Sequence, residues 1–135
     1  MRKILLASLI GLSVVTMAGC ATQKPPSQAE ISTANYGELP KNYKEQITNS
    51  LSSRLKDPYT AQFTFLPPFK GYSQDGPWSP SGGKSYFGWV APVLVNAKNS
   101  YGGYTGNQKY VFMFSGGVLY DVTGNDAFNR VKPVN

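Results

Sequence analysis

The chain has 135 residues, with 13 Lys+Arg against 7 Asp+Glu, one cysteine and no histidine. The absence of histidine excludes His-based nucleophilic triads and the usual zinc sites. A lone cysteine excludes an intramolecular disulfide, so the fold must be held by its core.

Met1-Arg2-Lys3 opens the chain, an apolar run follows from Ile4 to Met17, and Ala18-Gly19-Cys20 closes the segment. A positive start, an apolar middle and small residues before a cut are the parts of an export signal. The run of 14 residues falls short of the roughly 20 that a membrane-spanning helix needs. Met17-Ala18-Gly19-Cys20 resembles a bacterial lipobox, with Met17 where leucine is usual. The resemblance implies cleavage between Gly19 and Cys20, with the Cys20 thiol as the lipid attachment point. Residues 1–19 are then a lipoprotein signal peptide. Two or three acyl chains on Cys20 hold a protein to a membrane where one does not. Ala21 is not the aspartate that retains lipoproteins in the inner membrane, so the outer membrane, with the domain facing the periplasm, is the expected location. Removing Arg2 and Lys3 takes two of the 13 basic residues and none of the 7 acidic ones, leaving a net charge of +4. No run of basic residues marks a nucleic-acid surface, and nucleic acid is not an expected partner.

Residues 20–38 are rich in Pro, Ser, Gln and Thr and read as a flexible tether. Residues 39–135 are enough for one small domain. Tyr43, Ile47, Leu51 and Leu55 recur every four residues, which predicts a helix over Lys41–Leu55 that ends before Asp57-Pro58. Gln62–Phe65 reads as a short strand. Leu66–Gly83, with four prolines and several glycines, reads as a long loop. Ser85–Ala97 is a strong strand with Phe87, Trp89, Ala91, Val93 and Val95 on one face; Pro92 suggests an edge or a bulge. A glycine-rich connection leads to a strand over Lys109–Ser115. Gly116-Gly117 then predicts a two-residue hairpin turn that sets Phe114 opposite Leu119, Met113 opposite Tyr120, Phe112 opposite Asp121 and Val111 opposite Val122. A short helical turn is expected near Asp126–Arg130. The predicted fold is α+β: one N-terminal helix on an antiparallel sheet of three to four strands, behind the lipidated tether.

Two segments carry a further likeness. Leu55-Lys56-Asp57-Pro58-Tyr59-Thr60-Ala61-Gln62-Phe63 is similar to an L-K-D-P-x-S-A-x-F segment, with Thr60 in the serine position. Asn96 to Gly106 is similar to an N-A-K-N-x-x-G-G-Y-x-G segment of the same group of small bacterial exported proteins and lipoproteins. The group supplies a pattern without an activity. Read from the residues, Asn96 and Asn99 suit local hydrogen bonds to the backbone. Tyr101 and Tyr104 either clamp their loop to the sheet or present rings to a ligand.

Little in the inventory suits catalysis. Asp75 and Asp121 form the one conceivable glycosidase pair, and nothing in the sequence brings them together. Ser81-Gly82-Gly83-Lys84-Ser85 echoes a phosphate loop but lacks its spacing and leads into a strand. No catalytic residue, metal ligand or cofactor is expected. Of the 18 aromatic residues, 15 lie between Tyr59 and Tyr120, more than one helix can cover. Either the Pro-rich loop closes over them or part of this surface serves a partner. The expectation is a non-catalytic interaction domain with Trp78, Tyr101 and Tyr104 as its candidate binding surface. The alternatives are an accessory subunit of a secretion, conjugation or outer-membrane assembly complex, and a glycan- or peptidoglycan-binding module. Sequence alone leaves the oligomeric state open.

Overall fold

The computed structural model describes residues 23–135. Gly19, Cys20 and the leader lie outside the described residues. The elements are α1 (Gln28–Thr33), α2 (Tyr43–Ser52), a 3-10 turn (Pro58–Thr60), β1 (Gln62–Phe65), β2 (Phe69–Gln74), β3 (Ser85–Asn96), β4 (Gln108–Ser115), β5 (Val118–Asp121), α3 (Thr123–Ala127) and β6 (Val131–Pro133). The fold is α+β. All pairings are antiparallel, in one six-stranded sheet of order β5-β4-β3-β2-β6, with β1 also pairing β3. Among the described residues no helix is long and apolar enough to cross a membrane.

Strand β3 is the axis of the sheet. Its 12 residues pair with β4 along one side and with β2 and then β1 along the other. Pro92 therefore sits in a central strand, not at an edge. The strand tolerates it because its partner is interrupted there. The Pro92 carbonyl accepts from Leu66 N–H at 3.0 Å, and in an antiparallel ladder N and O of one residue point the same way. The nitrogen that cannot donate thus faces the Leu66-Pro67-Pro68 break between β1 and β2. On the β4 side the hairpin register follows the sequence expectation: Phe112↔Asp121, Met113↔Tyr120 and Phe114↔Leu119. Gly116 and Gly117 have φ of 58° and 77°, the left-handed pair that a tight right-twisting hairpin requires. Beyond the ladder, Val122 N–H donates to the Val111 carbonyl at 2.9 Å.

Each sheet face has its own buried cluster. On one face Ala91, Val93 and Val95 of β3 and Phe112 and Phe114 of β4 cluster with Ile47 and Leu51 of α2, with Tyr43 and Leu55 at the margin. The other face gathers Val90, Val111 and Met113 with Val122 and Val131. That second face is closed by the C-terminal segment. Asn125 of α3 donates to the buried Ser73 hydroxyl at 2.9 Å and to Asp75 at 3.1 Å. The Thr123 hydroxyl accepts from Val111 N–H at 2.9 Å. Asn129, with φ 59°, then turns the chain into β6.

Three expectations need correction. The long loop over Leu66–Gly83 contains β2 and the C-terminal segment adds β6, so the sheet has six strands, not three or four. Phe69, Gly71 and Ser73 alternate with Lys70, Tyr72 and Gln74, but glycine and serine at the inward positions hide the pattern. Gly71 is required: a Cβ there would stand 2.5 Å from the Lys132 carbonyl oxygen. The Pro-rich loop shrinks to residues 75–84 and covers neither face. The described part of the expected tether, residues 23–38, is also not free. The Gln23 side chain donates to the Asp75 carbonyl at 2.6 Å, Gln74 donates to the Lys24 carbonyl at 2.8 Å, and the Trp89 indole donates to the Gly37 carbonyl at 3.1 Å. Ser27 and Glu30 form a capping box on α1, and Tyr36 meets Phe87 edge to face at 6.0 Å. This strap lies on the same face as α2 and leaves Trp89 half-buried, less enclosed than its place in the alternation predicts.

Candidate functional site

The two segments 55–63 and 96–106 meet in space at one end of β3. Gln62 and Asn96 are the last paired residues of β1 and β3. Beyond them the chain folds into a hydrogen-bonded knuckle. Asn99 Oδ1 accepts from the N–H groups of Tyr101 and Gly103 at 2.9 and 3.2 Å, and Asn96 Oδ1 accepts from Gly106 N–H at 3.1 Å. Lys98 and Tyr104 form an isolated antiparallel bridge. Gly102 and Gly106 take φ of 79° and 89°.

Two contacts tie the knuckle to the other segment. Lys56 Nζ donates to the Ser100 hydroxyl at 2.8 Å, and the Tyr104 hydroxyl donates to the Thr60 carbonyl at 3.2 Å. Tyr104 is thereby a clamp, 46% exposed, with Lys98 Nζ 5.5 Å from its ring centroid. Tyr101 is 97% exposed and Tyr59 99% exposed. The two tyrosines of the second segment thus divide the roles between them: one holds the loop and the other is presented to solvent.

Between the segments lies an open cleft of about 450 Å³, lined by Arg54, Lys56, Lys98, Asn99, Tyr101 and Gln108 among others. Three cations and no carboxylate line it, although Asp57 stands next to Lys56 in the chain. Arg54 is already engaged. Its guanidinium bonds Asp121 at 2.7 Å and lies 5.9 and 5.8 Å from the ring centroids of Tyr110 and Phe112. Lys56, bonded to the Ser100 hydroxyl, and Lys98, over the Tyr104 ring, have no carboxylate partner among the described residues.

Partial burial works to raise the Asp121 pKa, but the Thr123 side-chain and backbone hydrogen bonds and the Arg54 guanidinium outweigh it and hold the carboxyl below its ordinary value. An unfolded aspartate titrates near about 3.9. The stabilising increment is therefore fully present above that pH and is lost as pH falls through the lower folded value. Both side chains are a third or more exposed, so solvent screening keeps the ion pair near about 0.5–1 kcal/mol. Asp121→Asn is expected to lower stability by that amount at neutral pH and to match the unaltered protein in strong acid. Thermal melts across pH check this; a gap that persists in acid would mean that packing is responsible, not charge.

The third member of the expected surface is elsewhere. Trp78 is 97% exposed in the loop that precedes β3, whereas Tyr101 and Tyr104 follow it. The 12 residues of β3 separate the two ends by roughly 36 Å. Trp78 and the tyrosines therefore cannot form one surface. Asp75 and Asp121 are committed to separate structural contacts: Asp75 accepts from Asn125 and Ser81, and Asp121 from Arg54 and Thr123. Among the described residues no three of His, Cys, Asp or Glu group to hold a metal ion.

Sequence reasoning missed Tyr59, Lys56 and Lys98 as site residues. Asp57-Pro58 reads completely as a helix stop, and a helix stop gives its neighbours no separate role. The usable signal was that both similar segments carry exposed-type residues in excess of what a turn needs. Comparison of the chain with protein-family models, curated proteins and solved structures finds no match.

Proposed function

We propose that the protein is a bacterial envelope lipoprotein, anchored through Cys20 at the outer membrane, whose domain is a non-catalytic interaction module. In this reading α2 laid on the sheet forms the platform, and the Tyr59–Tyr101 end is the contact surface. The observation that carries it is the meeting of segments 55–63 and 96–106. Five side-chain hydrogen bonds described above, within and between them, fix a loop whose outward residues, Tyr59 and Tyr101, contact almost nothing. Ordering a loop while leaving its large aromatic groups in water costs stability without packing gain, and presenting pre-ordered rings to a partner offsets that cost on binding. Tyrosine is enriched among residues that dominate interfaces.

The lining of the cleft favours one partner class among the alternatives. Sugar rings stack on aromatic faces, and Lys56 and Lys98 suit the carboxylates of a peptidoglycan stem peptide. A protein subunit of an envelope complex is the second reading, supported by the same tyrosines without the cleft. Tyr59→Ala and Tyr101→Ala are each expected to leave the melting temperature unchanged and to weaken sedimentation with murein sacculi by about 1–2 kcal/mol, roughly five- to thirtyfold. Unchanged sedimentation in both variants, or no sedimentation of the unaltered chain, contradicts the peptidoglycan reading.

A further inference from the structure

The end of the molecule opposite the tyrosines carries its own exposed aromatic and basic groups. Trp78 is 97% exposed and Phe128 71% exposed. Gly76 and Pro77 bring the Trp78 turn against the α3–β6 corner: a Cβ on Gly76 would lie 3.0 Å from an Arg130 guanidinium nitrogen, and that guanidinium lies 4.9 Å from the Phe128 ring centroid. Pro77, Phe128, Arg130 and Lys132 line an open cleft of about 510 Å³ with Gln23. Lys24 and Lys84 join the same end through their carbonyls, which accept from Gln74 and from Asp75 N–H. Two carboxylates stand among these four cations, and both are engaged: Asp75 with Asn125 and Ser81, Glu30 with Ser27.

We propose that this end, with Trp78 and Phe128 at its tip, is a membrane-contact surface that seats the domain on an anionic phospholipid bilayer. The proposal rests on the lipid-anchor reading of Cys20. Only Ala21 and Thr22 lie between Cys20 and Gln23, and three residue-to-residue steps reach at most about 11 Å. Gln23 is itself bonded to the Asp75 carbonyl at this end. A lipid on Cys20 therefore brings the bilayer to the Trp78 end and cannot bring it to the Tyr101 end, roughly 36 Å away. Tryptophan settles at the headgroup level because its ring is apolar with one polar N–H. Lysine and arginine just outside the bilayer are drawn to anionic headgroups. With the strap bonded along the sheet, the domain sits on the membrane with its tyrosine end directed away from it.

The test uses the full-length lipoprotein, processed in a bacterium and reconstituted into vesicles of phosphatidylcholine with phosphatidylglycerol, one set carrying brominated acyl chains. The expected result is bromine quenching of tryptophan emission in the unaltered chain, most of it lost in Trp78→Phe, and weaker quenching on phosphatidylcholine alone. Trp78 packs against so little that the substitution leaves the fold intact, and circular dichroism confirms it. A chain whose mass carries acyl groups but whose Trp78 is unquenched by bromine and quenched by aqueous iodide overturns the proposal and leaves the anchor standing. A chain whose mass carries no acyl groups overturns both.

Discussion

Leu51→Asp is expected to abolish folding of the domain at ambient temperature. Leu51 is 1% exposed and shares a cluster with Ile47, Ala91, Val93, Val95, Phe112 and Phe114. Truncating a buried leucine costs about 2–5 kcal/mol, and a carboxylate without a partner adds several kcal/mol or is forced to take up a proton. Arg54, one turn on, is already held by Asp121 and lies over the Phe112 ring at the edge of the cluster. The sum matches the roughly 5–15 kcal/mol that holds a domain of this size, and no disulfide is present to compensate. Asn49→Asp, an exposed position on the same helix, is the control and should melt within a degree or two of the unaltered chain. Urea titration followed by circular dichroism separates the two; a Leu51→Asp protein with a normal transition would mean that α2 does not cover the sheet.

Gly88→Ala is the second large effect expected. A Cβ at residue 88 would lie 2.0 Å from the Phe114 carbonyl oxygen, 2.9 Å from its carbon and 3.2 Å from Ser115 Cα. All three are backbone atoms of β4, so no rotamer change relieves the clash. Strand β3 is held on its other side by β2, where Gly88 pairs with Gly71, and has no free direction in which to move. A loss of about 3 kcal/mol or more follows, at the top of the range for overpacked cores, or a drop in melting temperature of well over about 10 °C. Ala91 lies three residues further along the same strand and is fully buried, which shows that alanine as such is accepted there. A Gly88→Ala protein as stable as the parent would contradict the close approach of β3 and β4.

What was legible in the sequence is what local rules govern. The four-residue recurrence of Tyr43, Ile47, Leu51 and Leu55 marks α2, and the Gly116-Gly117 pair sets the hairpin register, because both depend on near neighbours. Strand β2 is hidden because its inward positions are Gly71 and Ser73, small so that β6 and Asn125 can approach. Strand β6 is three residues long, and only its pairing with β2 makes it a strand. Likewise, the strap over 23–38 is held by partners about 50 residues away, which composition cannot reveal. The aromatic surplus was visible, but its division between two ends of the molecule was not. Counting rings says how much surface is offered; only the antiparallel order about β3 says that Trp78 and Tyr101 lie apart.

In the proposed arrangement the two ends meet different surroundings, lipid at Trp78 and a partner at Tyr101. A photoreactive residue placed at position 78 or at position 101 of the full-length chain, in cells fed radioactive palmitate, tests it directly. Labelled phospholipid adducts are expected from position 78 and none from position 101, where the adduct is to murein or to a protein. Phospholipid adducts from position 101, or none from position 78 in a chain that has itself taken up palmitate, would contradict it.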